Sequence, residues 1–188
     1  MMYQDVWING RLVQVGYRSC EPRYRIIHEF CSVNLGIGFR VCDIGANMAY
    51  FSIRLIEDFK ATAVAFEFHQ FDKRAAIVKK QRTGRFMYIN RKLCINDLLV
   101  MREICRFDLV LGMSVLHHVR GHADQWVEAM RAMSRFTIIE VALEDSKRAT
   151  KKGITVPDGG EIIGYGDSHL KQGFRRPIIA YRNERSVL

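Results

Sequence analysis

Proline is scarce in this 188-residue chain, with 3 in all, and no Pro- or Gly-rich stretch separates one part from another. That scarcity excludes collagen-like and linker-rich architectures. The five cysteines, Cys20, Cys31, Cys42, Cys94 and Cys105, are odd in number and contain no C-x-x-C pair. Four of them stand in apolar surroundings of the kind that bury thiols. A disulfide frame and a thiolate zinc site are thereby excluded, and a reducing cytoplasm is expected. No apolar run approaches the ~20 residues a helix needs to cross a bilayer. The first residues, Met1-Met2-Tyr3-Gln4-Asp5, lack the basic start and apolar stretch of a secretory signal. Charge balance is also missing: 29 Lys+Arg against 20 Asp+Glu leaves +9, which fits an anionic partner. With 48% apolar and 26% charged residues, the chain has the make-up of one folded domain spanning 1–188.

Two periods alternate along it. Val6-Trp7-Ile8 and Arg11-Leu12-Val13 flank Asn9-Gly10, a pair suited to the positive φ angles of a tight hairpin. Glu21-Pro22 then opens a helical pattern with Tyr24, Ile27, Phe30 and Cys31 on one face, ending near Asn34 and Gly36. Apolar β-type runs follow at Phe39–Ile44, Ala61–Phe66, Phe86–Ile89, Phe107–Gly112 and Phe136–Ala142. Helical segments lie between them at Ala49–Phe59, Phe71–Arg82, Ile95–Ile104 and His122–Ser134. Near-continuous apolar strands alternating with helices predict right-handed crossovers onto a doubly wound, mostly parallel sheet. Glu161–Gly164 and Pro177–Tyr181 leave no room for a helix between them and predict an antiparallel pair closing one edge, after a loop at Ser146–Gly159.

The sharpest local feature is Asp43-Ile44-Gly45-Ala46-Asn47, where a buried strand turns on a glycine straight into a helix. In an open parallel sheet ligands sit beyond the carboxyl ends of the strands. Gly45 removes the Cβ that would block such an approach, and Asp43 offers a carboxylate to a cationic ligand group. Glu67 ends the next strand, where an acid accepts both hydroxyls of a ribose. G-x-G-x-x-G is absent, which argues against a nicotinamide dinucleotide.

These residues resemble the class I S-adenosylmethionine-dependent methyltransferases. Asp43–Asn47 with Tyr50-Phe51-Ser52 looks like their first motif, Glu67 takes the ribose-binding position, and Phe107–His118 looks like their fourth motif. The resemblance covers residues 20–142. It implies a Rossmann-like, seven-stranded core at 37–188 behind an N-terminal hairpin and lid helix at 1–36. It also implies S-adenosylmethionine held by Asp43, Gly45, Ala46, Asn47, Tyr50, Phe51, Glu67, Phe68 and Met113. Asn47 and Ala49 depart from it, standing where further glycines are common; Asn tolerates positive φ, whereas Ala49 adds a methyl.

Candidate acceptor groups follow from the same frame. His117 and His118 come just after an apolar strand, where an imidazole serves as base or hydrogen-bond donor; packing or capping the helix near Gly121 is their other use. No third ligand makes them a metal pair. A proline-rich Asn/Asp/Ser-Pro-Pro-aromatic stretch is missing at Met113–Leu116, which argues against methylation of a base amine. The connection carrying Asp167, Ser168, His169, Lys171, Arg175 and Arg176 is a polar, cationic cluster suited to phosphate or carboxylate, with an ordinary hairpin tip as the alternative. This ending is similar to the methyltransferase domain of bacterial O-antigen chain-terminating enzymes, which implies His169 among the catalytic residues and a sugar or phosphate acceptor. By resemblance Arg23 or Tyr24 touches the methionine carboxylate; solvation of a surface helix is the alternative. Lys79–Arg85 reads as a solvated basic run.

The expectation is a methyltransferase acting on oxygen of a small anionic, sugar or phosphate-bearing acceptor. An RNA methyltransferase, motivated by the charge, and a catalytically silent cofactor-binding partner, motivated by Ala49, are the alternatives.

Overall fold

In the computed structural model the alternation resolves into strands and helices over the described residues, which are 2–68, 77–81, 83–119, 123–142, 158–168 and 173–183. In chain order they are β1 (Val6–Ile8), β2 (Arg11–Gln14), α1 (Glu21–Asn34), β3 (Arg40–Ile44), α2 (Tyr50–Phe59), β4 (Thr62–Glu67) and β5 (Phe86–Asn90). Then follow α3 (Ile95–Ile104), β6 (Phe107–Met113), α4 (Ala123–Ala132), β7 (Ser134–Glu140), β8 (Glu161–Asp167) and β9 (Arg175–Arg182). Seven strands make a mostly parallel sheet in the order β5-β4-β3-β6-β7-β9-β8, and β1-β2 is a separate hairpin. Most of the predicted helix at Phe71–Arg82 and all but the last two residues of the loop at Ser146–Gly159 lie outside the described residues. Two compact units, Met1–Leu93 and Cys94–Leu188, divide the chain.

In the first unit β3 and β4 pair in parallel with Asp43 beside Ala65 and Ile44 beside Phe66, and β4 pairs in parallel with β5. The strands bury Val41, Ile44, Ala63 and Ala65, and α2 covers them with Ile53, Leu55, Ile56 and Phe59. Each of the Val, Ile, Leu and Phe side chains contributes about 1.5–3 kcal/mol on burial. Asn9 (φ 48) and Gly10 (φ 82) both take positive φ, as the hairpin turn requires. The hairpin is held by polar bonds: Trp7 Nε1 donates to Glu57 at 2.7 Å, and the Gly10 N–H donates to the same carboxylate at 2.7 Å. Gln81 donates to the Trp7 carbonyl and accepts the Asn9 N–H. The described cations of the basic run, Lys79, Lys80 and Arg85, are exposed as expected, while the neutral Gln81 within it ties to the hairpin. The chain between β2 and α1 is closed by Asp5, which accepts the N–H of Gly16 at 2.9 Å and of Cys20 at 2.7 Å.

Helix α2 ends at an exposed lysine in the left-handed region, Lys60 at φ 56. That conformation favours glycine. Lys60→Gly is expected to raise stability by about 0.5–1 kcal/mol, the relief of left-handed strain outweighing the extra freedom of the unfolded chain. Urea denaturation reads this directly.

In the second unit β6 and β7 pair in parallel, with Met113 beside Glu140. β9 runs antiparallel to β7 and β8 antiparallel to β9, so the tail is the expected antiparallel pair, with strands longer than the apolar runs alone indicate. Leu109, Leu111, Ile138 and Ile139 are buried in the sheet, and α4 buries Trp126, Val127 and Met130. Helix α3 is capped by Asp97, which accepts the Cys94 N–H at 2.8 Å. Three cysteines are buried rather than the four expected; Cys94 is exposed and Cys105 half-buried, because both flank a helix that buries little besides Leu98.

Candidate active site

The turn after β3 is built from left-handed residues. Gly45 (φ 73), Asn47 (φ 52) and Ala49 (φ 56) alternate along it before α2 begins at Tyr50. Glycine and asparagine adopt this conformation readily, whereas an alanine there costs about 1–2 kcal/mol. Ala49 is fully buried, so packing holds it in place. The Gly45 and Ala46 N–H groups both donate to the Phe66 carbonyl, at 2.9 and 3.1 Å, which ties the turn to the end of β4.

Glu67 sits against that turn. One carboxylate oxygen accepts the Asn47 N–H at 2.8 Å and the other accepts the Phe68 N–H at 2.7 Å. A carboxylate offers about four acceptor positions, so the half-buried Glu67 keeps capacity for a ligand's hydroxyls. Phe68 beside it is exposed. Asp43, at 0% exposure, accepts the Ser52 hydroxyl on Oδ2 at 2.7 Å, while its Oδ1 is buried without a hydrogen-bond partner. Burial pushes its carboxyl up to about 7, Ser52 pulls the other way, and the nearby charge of Glu67 adds to the rise. An orphaned buried acceptor at the head of a glycine turn suits a ligand that brings a donor.

Helix α1 buries Arg23, Tyr24, Ile27 and Cys31. Arg23 is 1% exposed, a correction to the solvation alternative: its guanidinium lies over the Phe51 ring at 5.1 Å and donates to the Ser19 carbonyl. Tyr24 is also buried, and its hydroxyl donates to Asp58 at 2.5 Å. Burial and the Asp58 charge raise its phenol well above the ordinary range. The Tyr50 hydroxyl donates to Glu21 at 2.8 Å and accepts from Arg54 at 2.9 Å. Arg54 went unnoticed in the sequence, yet its guanidinium lies 4.4 Å from the ring centres of both Trp7 and Tyr24 and 5.7 Å from that of Tyr50. It also pairs with Glu21 at 2.8 Å and Asp58 at 3.6 Å. Away from the glycine turn, a groove of about 590 Å³ is lined by Asn9, Glu57, Lys60, Thr83 and Arg85, near the amino ends of β4 and β5.

In the second unit Met113 ends β6, buried. Ser114 follows at φ 61, and a short 3-10 turn over Leu116–His118 brings the rings of His117 and His118 to 3.9 Å between centres. His117 is half-buried and His118 exposed. Arg175 is exposed and stacks on Tyr165 at 5.1 Å. Arg176 is 0% exposed and donates to the Ser114 hydroxyl at 3.2 Å, which corrects its placement in an exposed cationic tip. His169 and Lys171 lie outside the described residues. Ser114 and Glu140, which no sequence motif singles out as a pair, hydrogen-bond to each other through their side chains. A lone serine and a lone glutamate 26 positions apart carry no local signal.

No protein-family model matches the chain. Over its whole length it is 26% identical to the O-antigen chain terminator bifunctional methyltransferase/kinase WbdD of Escherichia coli, matching 28% of that protein. The chain thus spans little more than a quarter of the curated relatives it matches. A crystal structure of WbdD superposes with a TM-score of 0.73 at 22% identity, over 100% of this chain and 46% of that one. N-methyltransferase NodS from Bradyrhizobium japonicum WM9 superposes at 0.63 and 11% identity, over 88% and 96% of the two chains. The fold is that of the class I methyltransferases. A further methyltransferase-fold neighbour is the N-terminal domain of EvdMO1, solved with SAH and D-fucose, at a TM-score of 0.62 and 12% identity over 96% and 90% of the chains. No helix among the described residues is long and apolar enough to cross a membrane.

Proposed function

We propose that this chain is an S-adenosylmethionine-dependent methyltransferase that methylates oxygen on a small anionic, sugar or phosphate-bearing acceptor. The observation that carries the reading is Glu67, whose carboxylate is held against the glycine turn by the Asn47 and Phe68 N–H groups with acceptor capacity to spare. Asp43 Oδ1 supplies a second acceptor at the head of the same turn. A ligand bearing a sugar diol and an ammonium presents the donors these groups lack. S-adenosylmethionine, when bound, supplies an electrophilic methyl carbon on a sulfonium. The residues of the chain then have two tasks, to hold the cofactor and to deprotonate or orient the acceptor. Glu67, Asp43 and the backbone of Gly45–Asn47 carry the first. His117 and His118 are assigned the second, as base or orienting donor.

The names of the relatives support the acceptor class: WbdD terminates O-antigen chains and the EvdMO1 domain was solved with D-fucose. NodS is an N-methyltransferase, so the choice of oxygen rests on the glycan-related relatives. Five free thiols agree with a reducing, cytoplasmic setting. RNA methylation and a silent partner role are not favoured by any of these neighbours.

Calorimetric titration with S-adenosylmethionine and S-adenosylhomocysteine tests the cofactor half. Binding by the parent is expected, with Glu67→Ala about 10- to 100-fold weaker from the loss of charge-assisted hydrogen bonds. Absence of binding, or a variant indistinguishable from the parent, overturns it.

A further inference from the structure

We infer that Ser114 is a pivot through which the buried pair Glu140 and Arg176 fixes the turn bearing His117 and His118, making Glu140 and Arg176 positioning residues for methyl transfer. The inference rests on the proposed role of the histidines at the acceptor. Its structural basis lies within the second unit.

Three strands converge on Ser114. It follows Met113, which stands opposite Glu140 at the end of β7. Glu140 in turn stands opposite Ile178 on β9. Arg176 lies two residues before Ile178 and so on the same face of β9, projecting past the end of β7. The Ser114 hydroxyl donates to Glu140 Oε2 and accepts from Arg176 Nη1. Glu140 and Arg176 are both fully buried. A carboxylate and a guanidinium withdrawn from water are costly unless each is well bonded. A hydroxyl caught between an acceptor and a donor of opposite charge loses its rotational freedom, and residue 114 is held with it.

The backbone at that position shows the consequence. Ser114 takes φ 61, a left-handed conformation that costs an L-residue about 1–2 kcal/mol and that the two bonds to its side chain help to hold. From there to the imidazoles the chain has little slack. Leu116 is buried, the His118 N–H donates to the Val115 carbonyl at 2.9 Å, and the Val119 N–H donates to the Leu116 carbonyl. A lock at Ser114 is therefore transmitted to rings three and four positions later. A purely structural tie between β7 and β9 would stabilise the sheet without governing those rings.

The test reads the rings and needs no acceptor. In protein carrying isotope-labelled histidine, the ring resonances of His117 and His118 are assigned with His117→Gln and His118→Gln. Parent protein is expected to show two dispersed signals, shifted by mutual ring shielding. Ser114→Gly keeps the left-handed backbone at lower cost and deletes the hydroxyl. It is expected to remain folded, with both signals broadened and displaced toward free histidine. Ser114→Ala and Glu140→Gln are expected to do the same with lower thermal stability. Parent rings already at free-histidine positions, or ring signals unmoved in Ser114→Gly, overturn the inference. Methyl-transfer assays on the two histidine variants judge the acceptor reading separately: inactive histidine variants with unmoved rings in Ser114→Gly would remove the pivot and leave that reading intact.

Discussion

At pH 8 the Asp43→Asn variant is expected to be more stable than the parent by about 2–4 kcal/mol, a gap that closes as the pH falls toward 4. Burial pushes the Asp43 carboxyl in the folded protein up to about 7 from the ordinary 3.8. Between these two values the unfolded chain releases a proton that the folded chain retains, so stability declines as pH rises through that window. Below it both states are protonated and the burden vanishes. Asparagine is neutral throughout and still accepts the Ser52 hydroxyl bond. Urea titrations of parent and variant at pH 5 and pH 8 check the sign; an equal difference at both, or a less stable variant at pH 8, contradicts it. The same change removes the carboxylate from the proposed cofactor turn, so the stabilised protein is expected to bind S-adenosylmethionine more weakly than the parent. A costly buried charge kept at a binding turn is the familiar exchange of stability for function.

Arg54→Ala is expected to cost about 2–4 kcal/mol, with the loss concentrated in the N-terminal segment. The guanidinium lies against Trp7 of the hairpin, Tyr24 of α1 and Tyr50 of α2, and its ion pairs reach Glu21 and Asp58. The carboxylates are partly exposed and recover some hydration once the arginine is gone, which keeps the cost below that of a sealed ion pair. Lysine at position 54 is expected to restore less than half, because a compact ammonium cannot lie flat on two rings. Burial alone would raise the Glu21 carboxyl, but the Tyr50 hydroxyl, Arg54 and Arg25 outweigh it and hold it below its ordinary value. The contribution of Glu21 is thus present above the ordinary carboxylate range and lost as pH falls through the lowered value. Limited proteolysis within residues 1–34 reports the local opening; cleavage no faster in Arg54→Ala than in the parent would sink the idea.

Much of this was legible in the residues. The parallel strands announce themselves as apolar runs such as Leu109–Leu111 and Thr62–Phe66, because a strand covered on both faces carries few polar residues. Asn9-Gly10 specifies its turn through backbone sterics alone. Asp43, Gly45 and Glu67 were visible because each occupies a strand end at regular spacing. Other parts were hidden for equally physical reasons. Ala49 carries no sign of its left-handed backbone, which packing imposes on it. Arg23 and Arg176 have the composition of surface residues, and only the tertiary fold supplies the aromatic face and the hydroxyl that make their burial tolerable. Arg54 and Ser114 act through partners drawn from distant segments, a relation that no local window contains.

The place of β9 in the sheet has a consequence for synthesis. Although it is the last of the described strands in chain order, it lies between β7 and β8. While the polypeptide is still emerging from the ribosome, β7 therefore waits with its outer rim of amide and carbonyl groups unmatched until Arg175–Arg182 has been made. Such a rim invites pairing with other chains. A nascent chain stalled before residue 175 would be vulnerable to aggregation or in need of a chaperone, and release of those eight residues would end the exposure.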